Sequence, residues 1–357
     1  MGQFWHLINV DRREKDLTDS GKLGEFFFSD LGYLYKALHV PCLPKEVDEW
    51  LSRGTLVLQP KPIGALSTEV LDLIFEAILD DTERDPTKNF LTCIFLAITC
   101  KRLLSIGKRH ILRALTSRYA RAADCRILCL GEYADKEDQA PPGMLTDAEI
   151  KELETTMMPY ECGEPDDEDI AARCLYVFAL ELYEPCRDAL ADQHTPIRAL
   201  MDWIGRIRRK LRGSKDNLDR NQALSRDLDM IAALACVGYR PEPEYPDGPN
   251  VLCNLSKGEC VREDALVKLE SEWCSVTLAH AVLSRICYSP DPSLAMGCSE
   301  EYEDRIAKGP WAGDRFRITS AADMPQLKGG KEWKDVTKEV NRLLCHLWGN
   351  EMCDEEA

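Results

Sequence analysis

Hydrophobic and polar positions follow two spacings along this chain. A period of two, the mark of a half-buried strand, runs from Trp5 to Val10, and the charged cluster Asp11 to Asp16 behind it predicts a turn. Arg126 to Tyr133 (RILCLGEY) has the same strand-like composition. Elsewhere apolar residues recur at helical intervals. Gly21 to Leu38 predicts a helix that Pro41 and Pro44 bring to an end. Leu66 to Cys100 predicts two apolar helices separated by DDTERDPTKN, and the basic stretch Lys101 to Ala122 predicts a third. Ala134 to Ile170 is acidic and interrupted by Pro141, Pro142 and Pro159, which predicts a mobile linker. Ala171 to Val237 is helical again and contains the basic amphipathic piece Trp203 to Lys215; a Pro-rich hinge, Val237 to Asn250, follows.

Beyond that hinge the chain repeats its own beginning. LINVDRRE (Leu7 to Glu14) aligns with LCNLSKGE (Leu252 to Glu259) at an offset of 245 positions, pairing Asn9 with Asn254 and Glu14 with Glu259. The same offset sets Glu25 of GKLGE opposite Glu270 of LVKLE. RAADCRILCL (from Arg121) aligns with WAGDRFRITS (from Trp311) at an offset of 190, pairing Asp124 with Asp314. The shorter offset leaves about 55 extra residues in the first copy, which the helical segment from Pro62 to about Arg113 fills. Chance likeness between two strand-and-turn segments is the alternative.

Composition narrows the function classes. Sixty-two acidic against forty-five basic residues leave a formal charge of −17, which repels nucleic acid and anionic lipid; no nucleic-acid or membrane partner is expected. A 45% hydrophobic content predicts a folded chain, and its longest apolar run, Phe90 to Cys100, is far short of the roughly 20 residues that span a bilayer. The first residues lack a signal core, so the expected location is cytoplasmic or nuclear. The sixteen cysteines form no CxxC pair, and Cys93, Cys100, Cys174, Cys236 and Cys287 lie in apolar runs where a thiol packs as a small hydrophobe. No metal ligand set or cofactor is expected. GxSxG, HExxH, GxxxxGK[ST] and GxGxxG are all missing, so the chain lacks the scaffolds of the common hydrolases, nucleotide and dinucleotide enzymes. The carboxylates that the repeat nominates for acid–base work are Glu14, Glu25, Glu259, Glu270 and Asp314; no histidine is nominated, and no residue is assigned a catalytic role.

One stretch points to a partner. Leu66 to Asp81 opens with a capping-competent Ser67 or Thr68 and places Glu69 in its first turn. Val70, Ile74, Ala77 and Ile78 share a face, while Leu71, Leu73 and Phe75 widen the apolar surface beyond what one side of packing uses. With Phe90 to Gly107 it resembles an F-box: an L-P-x-E-hydrophobic opening, a D-P turn and a helix ending in C-K-R, over about 42 residues. F-box helices dock on the small linker subunit of cullin–RING ubiquitin ligases. The resemblance therefore implies that Leu66, Glu69, Val70, Leu73, Ile74, Ile78, Leu96 and Lys101 form that contact, while the rest of the chain holds a protein target. Two features depart from the family: Ser67 stands where its proline is usual, and the Asp80 to Asn89 loop is longer than its norm. The flanks, MGQxW, NxDxRE, GKLGE and WAGDRF, resemble a family found especially in mushroom-forming fungi, from which no activity carries over. In that pattern fall Trp5, Asn9, Asp11, Glu25, Trp311, Gly313, Asp314 and Arg315.

The expected fold is α+β: two related β-containing halves, an inserted F-box-like helical module and a helical middle region. The boundaries are 1–61 and 114–133 for the first half, 62–113 for the module, 134–170 for the linker, 171–237 for the helical region and 238–357 for the second half. The expected function is a non-enzymatic, substrate-recruiting adaptor of a ubiquitin ligase. Its rivals are a ligand-binding or enzymatic site between the repeats, near Asn9, Glu25, Asn254, Glu270 and Asp314, and a structural protein whose helical module packs inward.

Overall fold

The computed structural model describes residues 2–17, 21–52, 62–83, 85–133, 140–158, 170–171, 174–186, 194–213, 218–236, 242–270, 274–294, 296 and 298–354. The chain forms two compact units: an α+β unit of Met1–His39, Arg121–Ala189 and Asp247–Ala357, and a helical unit of Val40–Ala120 and Leu190–Pro246. Chain order begins with β1 (Trp5–Asn9), β2 (Glu14–Lys15), α1 (Leu23–Phe27) and α2 (Gly32–Leu38). The helical unit then supplies α3 (Lys45–Ser52), α4 (Pro62–Ala65), α5 (Thr68–Leu79), α6 (Pro86–Ala97) and α7 (Lys101–Tyr119). Next come β3 (Ile127–Gly131), α8 (Asp147–Thr155), the short pair β4 (Met157–Met158) and β5 (Ile170–Ala171), α9 (Leu175–Leu182) and β6 (Glu184–Pro185). Helices α10 (His194–Gly213) and α11 (Leu218–Leu234) return to the helical unit. The α+β unit closes with β7 (Asn250–Asn254), β8 (Glu259–Arg262), α12 (Leu278–Ile286), β9 (Cys287–Tyr288), α13 (Glu300–Ala307), β10 (Phe316–Ser320), β11 (Lys334–Asp335) and α14 (Thr337–Asp354).

The fold is mixed α+β. One sheet has the order β6-β2-β1-β3-β9 and a second β10-β7-β8-β11, each combining antiparallel and parallel pairs. Both strand segments expected at opposite ends of the chain lie in one unit and share one core. Trp5, Leu7, Phe27 and Leu38 pack in the same cluster as Leu252, Trp311, Phe316 and Trp348. Helix α12 (LAHAVLSRI) belongs to that cluster and is buried along its whole length, as a helix apolar on most sides must be.

The two hairpins share their geometry. Asn9 pairs with Glu14 and Asn254 with Glu259, 245 positions on. Arg13 and Gly258, also 245 apart, both turn with positive φ, at 54° and 68°. Asn9 pairs with Ile127 and Asn254 with Phe316, an offset of 189. Asp124 and Gly313 carry positive φ at that same offset. Backbone register thus pairs Asp124 with Gly313 and Arg126 with Arg315, one residue away from the alignment by letter identity, which had matched the two aspartates.

Four other expectations change. The helix read over Gly21 to Leu38 is two helices, because Asp30 turns back to accept from the Gly32 backbone N–H at 2.8 Å and starts α2 afresh. The acidic stretch read as a linker contains α8: Thr146 and Glu149 form a capping box and Leu153 is buried among Ile8, Leu128 and Phe178. The remainder of that stretch, 134–139 and 159–169, lies outside the described residues. The helical module is not confined to 62–113, since α3, α10 and α11 complete its core. Most of the Pro-rich hinge's opening, 237–241, is also outside the described residues, but Glu244 bridges to Cys42 within the helical unit.

Candidate functional site

Helices α5, α6 and α7 form the segment whose sequence resembles an F-box, and each start has a local cause. Ser67, the departure from the family's proline, caps α5 by accepting from the Val70 backbone N–H at 3.5 Å. Exposed Glu69 in that first turn has its carboxyl held below the usual range by backbone N–H and Ser67 hydrogen bonds. Asp85 caps α6, accepting from Thr87 and Lys88 N–H at 2.7 and 3.0 Å, with Pro86 at the first helical position where its missing N–H costs nothing. The loop read as Asp80 to Asn89 is therefore shorter, because its last four residues are the first turn of α6. Asn89, buried, donates to the Asp81 carbonyl at 2.7 Å and closes it.

The three helices pack closely. Phe75 stacks on His110 with ring centres 5.3 Å apart, and His110 Nε2 lies 2.9 Å from Asp72 Oδ1. That contact and an ion pair with Arg109 pull the Asp72 carboxyl below its ordinary pKa. Gly107 admits the approach: a Cβ there would lie 2.8 Å from Phe75 Cζ and 2.9 Å from Ala97 Cβ. Leu71, Phe75, Phe90, Ile94, Leu104 and Ile111 form a core with Leu200 and Ile204 of α10 and Leu228 and Leu234 of α11.

The other side of α5 is uncovered. Val70 is 41% and Leu73 62% exposed, and both fall with exposed Ala77 at helical spacing on one stripe. Phe95 of α6 is 39% exposed. Of the residues assigned to the partner, Glu69, Val70 and Leu73 are exposed, whereas Leu66, Ile74, Ile78 and Leu96 are partly buried against the unit's own core. Lys101 does not join the stripe. Its ammonium nitrogen is buried 5.8 Å from the centre of the Trp50 ring, on the wall of a separate cavity. The inward-packing reading therefore fits half of the module and leaves Val70 and Leu73 unaccounted for.

Of the residues in the flanking pattern, Trp5, Asn9 and Trp311 are buried, Gly313, Asp314 and Arg315 partly buried, and Asp11 and Glu25 exposed. Asn9 and Asn254 are fully buried and accept from turn N–H groups, Asn9 from Arg12 at 3.2 Å and Asn254 from Ser256 and Lys257 at 3.0 Å each. Trp5 and Trp311 are fully buried; the Trp311 indole N–H donates to Glu259 at 2.7 Å under the Arg285 guanidinium. Asp11 receives Arg126 and Arg315, the latter at 2.6 Å. Gly313, at φ 78°, leaves no room for a Cβ beside Met144.

Most of the nominated carboxylates are similarly engaged. Glu25 accepts from the Lys22 backbone N–H and caps α1, and Glu270 is exposed beside the bridge to Ser275. Asp314 accepts from Asn254 at 2.8 Å, and burial raises its pKa. For Glu259 burial pushes upward, but Lys334 and Trp311 hydrogen bonds outweigh it and leave the carboxyl below its ordinary range.

A buried polar cluster escaped the sequence reading. Glu14 pairs with Arg121, and the Cys186 thiol lies 3.7 Å from Glu14 and 3.3 Å from the Tyr33 hydroxyl. Glu14 was nominated, but its neighbours come from positions 33, 121 and 186, and no spacing rule joins them. Burial raises the Cys186 pKa, so the protonated thiol dominates at neutral pH and is a poor nucleophile. Among the described residues no group of three His, Cys, Asp or Glu side chains could hold a metal, and no helix is long and apolar enough to cross a membrane. The chain matches no protein-family model, no curated protein and no solved structure.

Proposed function

We propose that the chain is a non-catalytic adaptor that docks the linker subunit of a cullin–RING ubiquitin ligase on α5 and brings it a protein target, in the cytoplasm or nucleus. The observation that carries this reading is the exposure of Val70 and Leu73 on a well-capped helix whose opposite side is core. Removing such side chains from water contributes about 25 cal/mol per Å2 of apolar surface, against which the costs of association are set. The D-P cap of α6 and the C-K-R start of α7 accompany the stripe. Co-expression with a fungal linker subunit tests it: the wild-type chain is expected to co-purify with the subunit and a folded Leu73→Asp variant is not. Failure of the wild type to bind, or equal binding by the variant, overturns the proposal.

We also propose that β1–β2–β3 and β7–β8–β10 are two copies of one structural unit, with the helical segment inserted in the first after α2. Shared strand register, matched positive-φ positions and matched asparagines and glutamates support this. The rival reading, a reactive site between the repeats, finds less support, because Asn9, Glu25 and Asn254 use their polar groups within their own turns and caps, Asp314 is held by Asn254, and Glu270 is exposed.

A further inference from the structure

The helical unit holds a cavity of about 710 Å3, a size that suits a drug-sized ligand rather than a single small ion. Its apolar wall includes Trp50, Met230 and Ala233. Within that wall the Lys101 ammonium is buried, lies over the Trp50 ring and has no hydrogen-bond partner among the described residues. An ammonium carries three donors, and leaving them unsatisfied away from water is costly. Lys101 also opens the 19-residue helix α7, whose N-cap, Cys100, provides no side-chain cap and whose first turn holds no acid. The positive end of the helix dipole therefore adds to the charge of the lysine rather than offsetting it.

The rest of the charged lining has the opposite character. Glu46, Glu49, Asp227, Asp229 and Glu244 line the cavity against Arg226; Glu46 and Asp227 are exposed, and among the described residues neither has an ion-pair partner. A simple organic anion would satisfy Lys101 but meet these carboxylates. A simple cation would suit these carboxylates and be repelled by the buried ammonium. A ligand that satisfies both carries a carboxylate at one end, an apolar body to lie on Trp50 and Met230, and a cationic group a short distance away.

We propose that this cavity binds the free carboxyl terminus of a peptide with an apolar last residue and basic residues just before it. The terminal carboxylate accepts from Lys101 Nζ, the apolar side chain covers Trp50 and Met230, and the basic side chains pair with Glu46 and Asp227. The volume exceeds what a free amino acid fills. The site goes beyond the adaptor reading and does not depend on it, since the cavity and the α5 stripe use different residues.

Fluorescence polarisation of the full-length protein with the fluorescein-labelled peptide Gly-Gly-Gly-Lys-Lys-Leu tests the proposal. The free acid is expected to bind at least about tenfold more tightly than its carboxyl-terminal amide, the usual value of a charge-assisted hydrogen bond. Replacing both peptide lysines by glutamate is expected to weaken binding by a similar factor, as are Lys101→Gln and Trp50→Leu in the protein, and free leucine is expected not to compete. Equal binding of acid and amide, no binding of the acid, or full competition by leucine overturns the proposal. The acid–amide comparison uses the wild-type chain alone, so a misfolded variant cannot obscure it. Loss of linker-subunit binding with peptide binding intact would count against the adaptor reading only.

Discussion

A buried amide that accepts from the N–H groups of a turn cannot be replaced by a hydrocarbon without leaving those donors unpaired. Asn254 is fully buried and bridges two such N–H groups, and Asn9 holds the corresponding turn of the other hairpin. Asn254→Ala is expected to lower unfolding free energy by about 1–3 kcal/mol in urea titrations, and Asn9→Ala by a comparable amount. A loss confined to one of them would contradict the equivalence of the turns. Glu149 makes a second residue-scale prediction. Arg126 donates to both its oxygens, at 2.7 and 3.1 Å, and holds the carboxyl at about 2 against about 4.3 in an unfolded chain. A depressed folded-state pKa contributes stability that is complete above the unfolded value and lost as pH falls toward the folded one. The urea midpoint is thus expected to fall between about pH 4.5 and 2, less steeply in Glu149→Gln; equal slopes would remove this pair from the acid response. The importance of Asn9, Asn254, Trp5 and Trp311 was legible as a pattern of letters. Their role was not, because a buried turn-holding amide and a ligand-binding one look alike in sequence.

Helices α5, α6 and α7 were readable as elements because their signals are local: a Ser67 cap, an Asp85–Pro86 start and apolar residues at intervals of three and four. What each face meets was not local. Ile74 falls in sequence on the same apolar surface as Val70, but it leans on the unit's own core while Val70 and Leu73 do not. Leu73→Asp is therefore expected to leave stability within about 0.5 kcal/mol of wild type, as exposed substitutions do, whereas Phe75→Ala costs about 3–5 kcal/mol. Gly107→Ala, placing a methyl against Phe75 and Ala97, is expected to cost about 1–3 kcal/mol by overpacking, and Phe75→Leu to reduce that cost by making room. Thermal or urea unfolding of the four variants measures this order; a destabilising Leu73→Asp would mean the stripe is covered. Helix α8 was missed because acidic, Pro-flanked composition reads as linker, although the Thr146–Glu149 capping box was there to be seen. Lys101 was placed with the partner because its position in C-K-R suggested it, and Trp50, which receives it, lies 51 positions earlier in the chain.

Two cores in one chain make an all-or-none transition less expected than for a single domain. The α+β unit buries Trp5, Trp311 and Trp348 in one cluster, and the helical unit buries Leu71, Phe75 and Ile94 in another. Calorimetry is expected to resolve two unfolding steps, with Phe75→Ala moving one and Asn254→Ala the other; a single step shifted equally by both would contradict separate cooperative units. The α+β class was legible from composition and periodicity. The assembly of both β segments in one unit was not, because the helical segments that separate them in sequence form a unit of their own. The central claim, that α5 is a docking helix for a ligase linker subunit, is tested most directly by isothermal titration of purified full-length protein with that subunit, wild type against Leu73→Asp and Val70→Asp. The account predicts saturable binding by the wild type, at one subunit per chain, and at least about tenfold weaker binding by each folded variant. Absent binding by the wild type, or unchanged affinity in both variants, would contradict it.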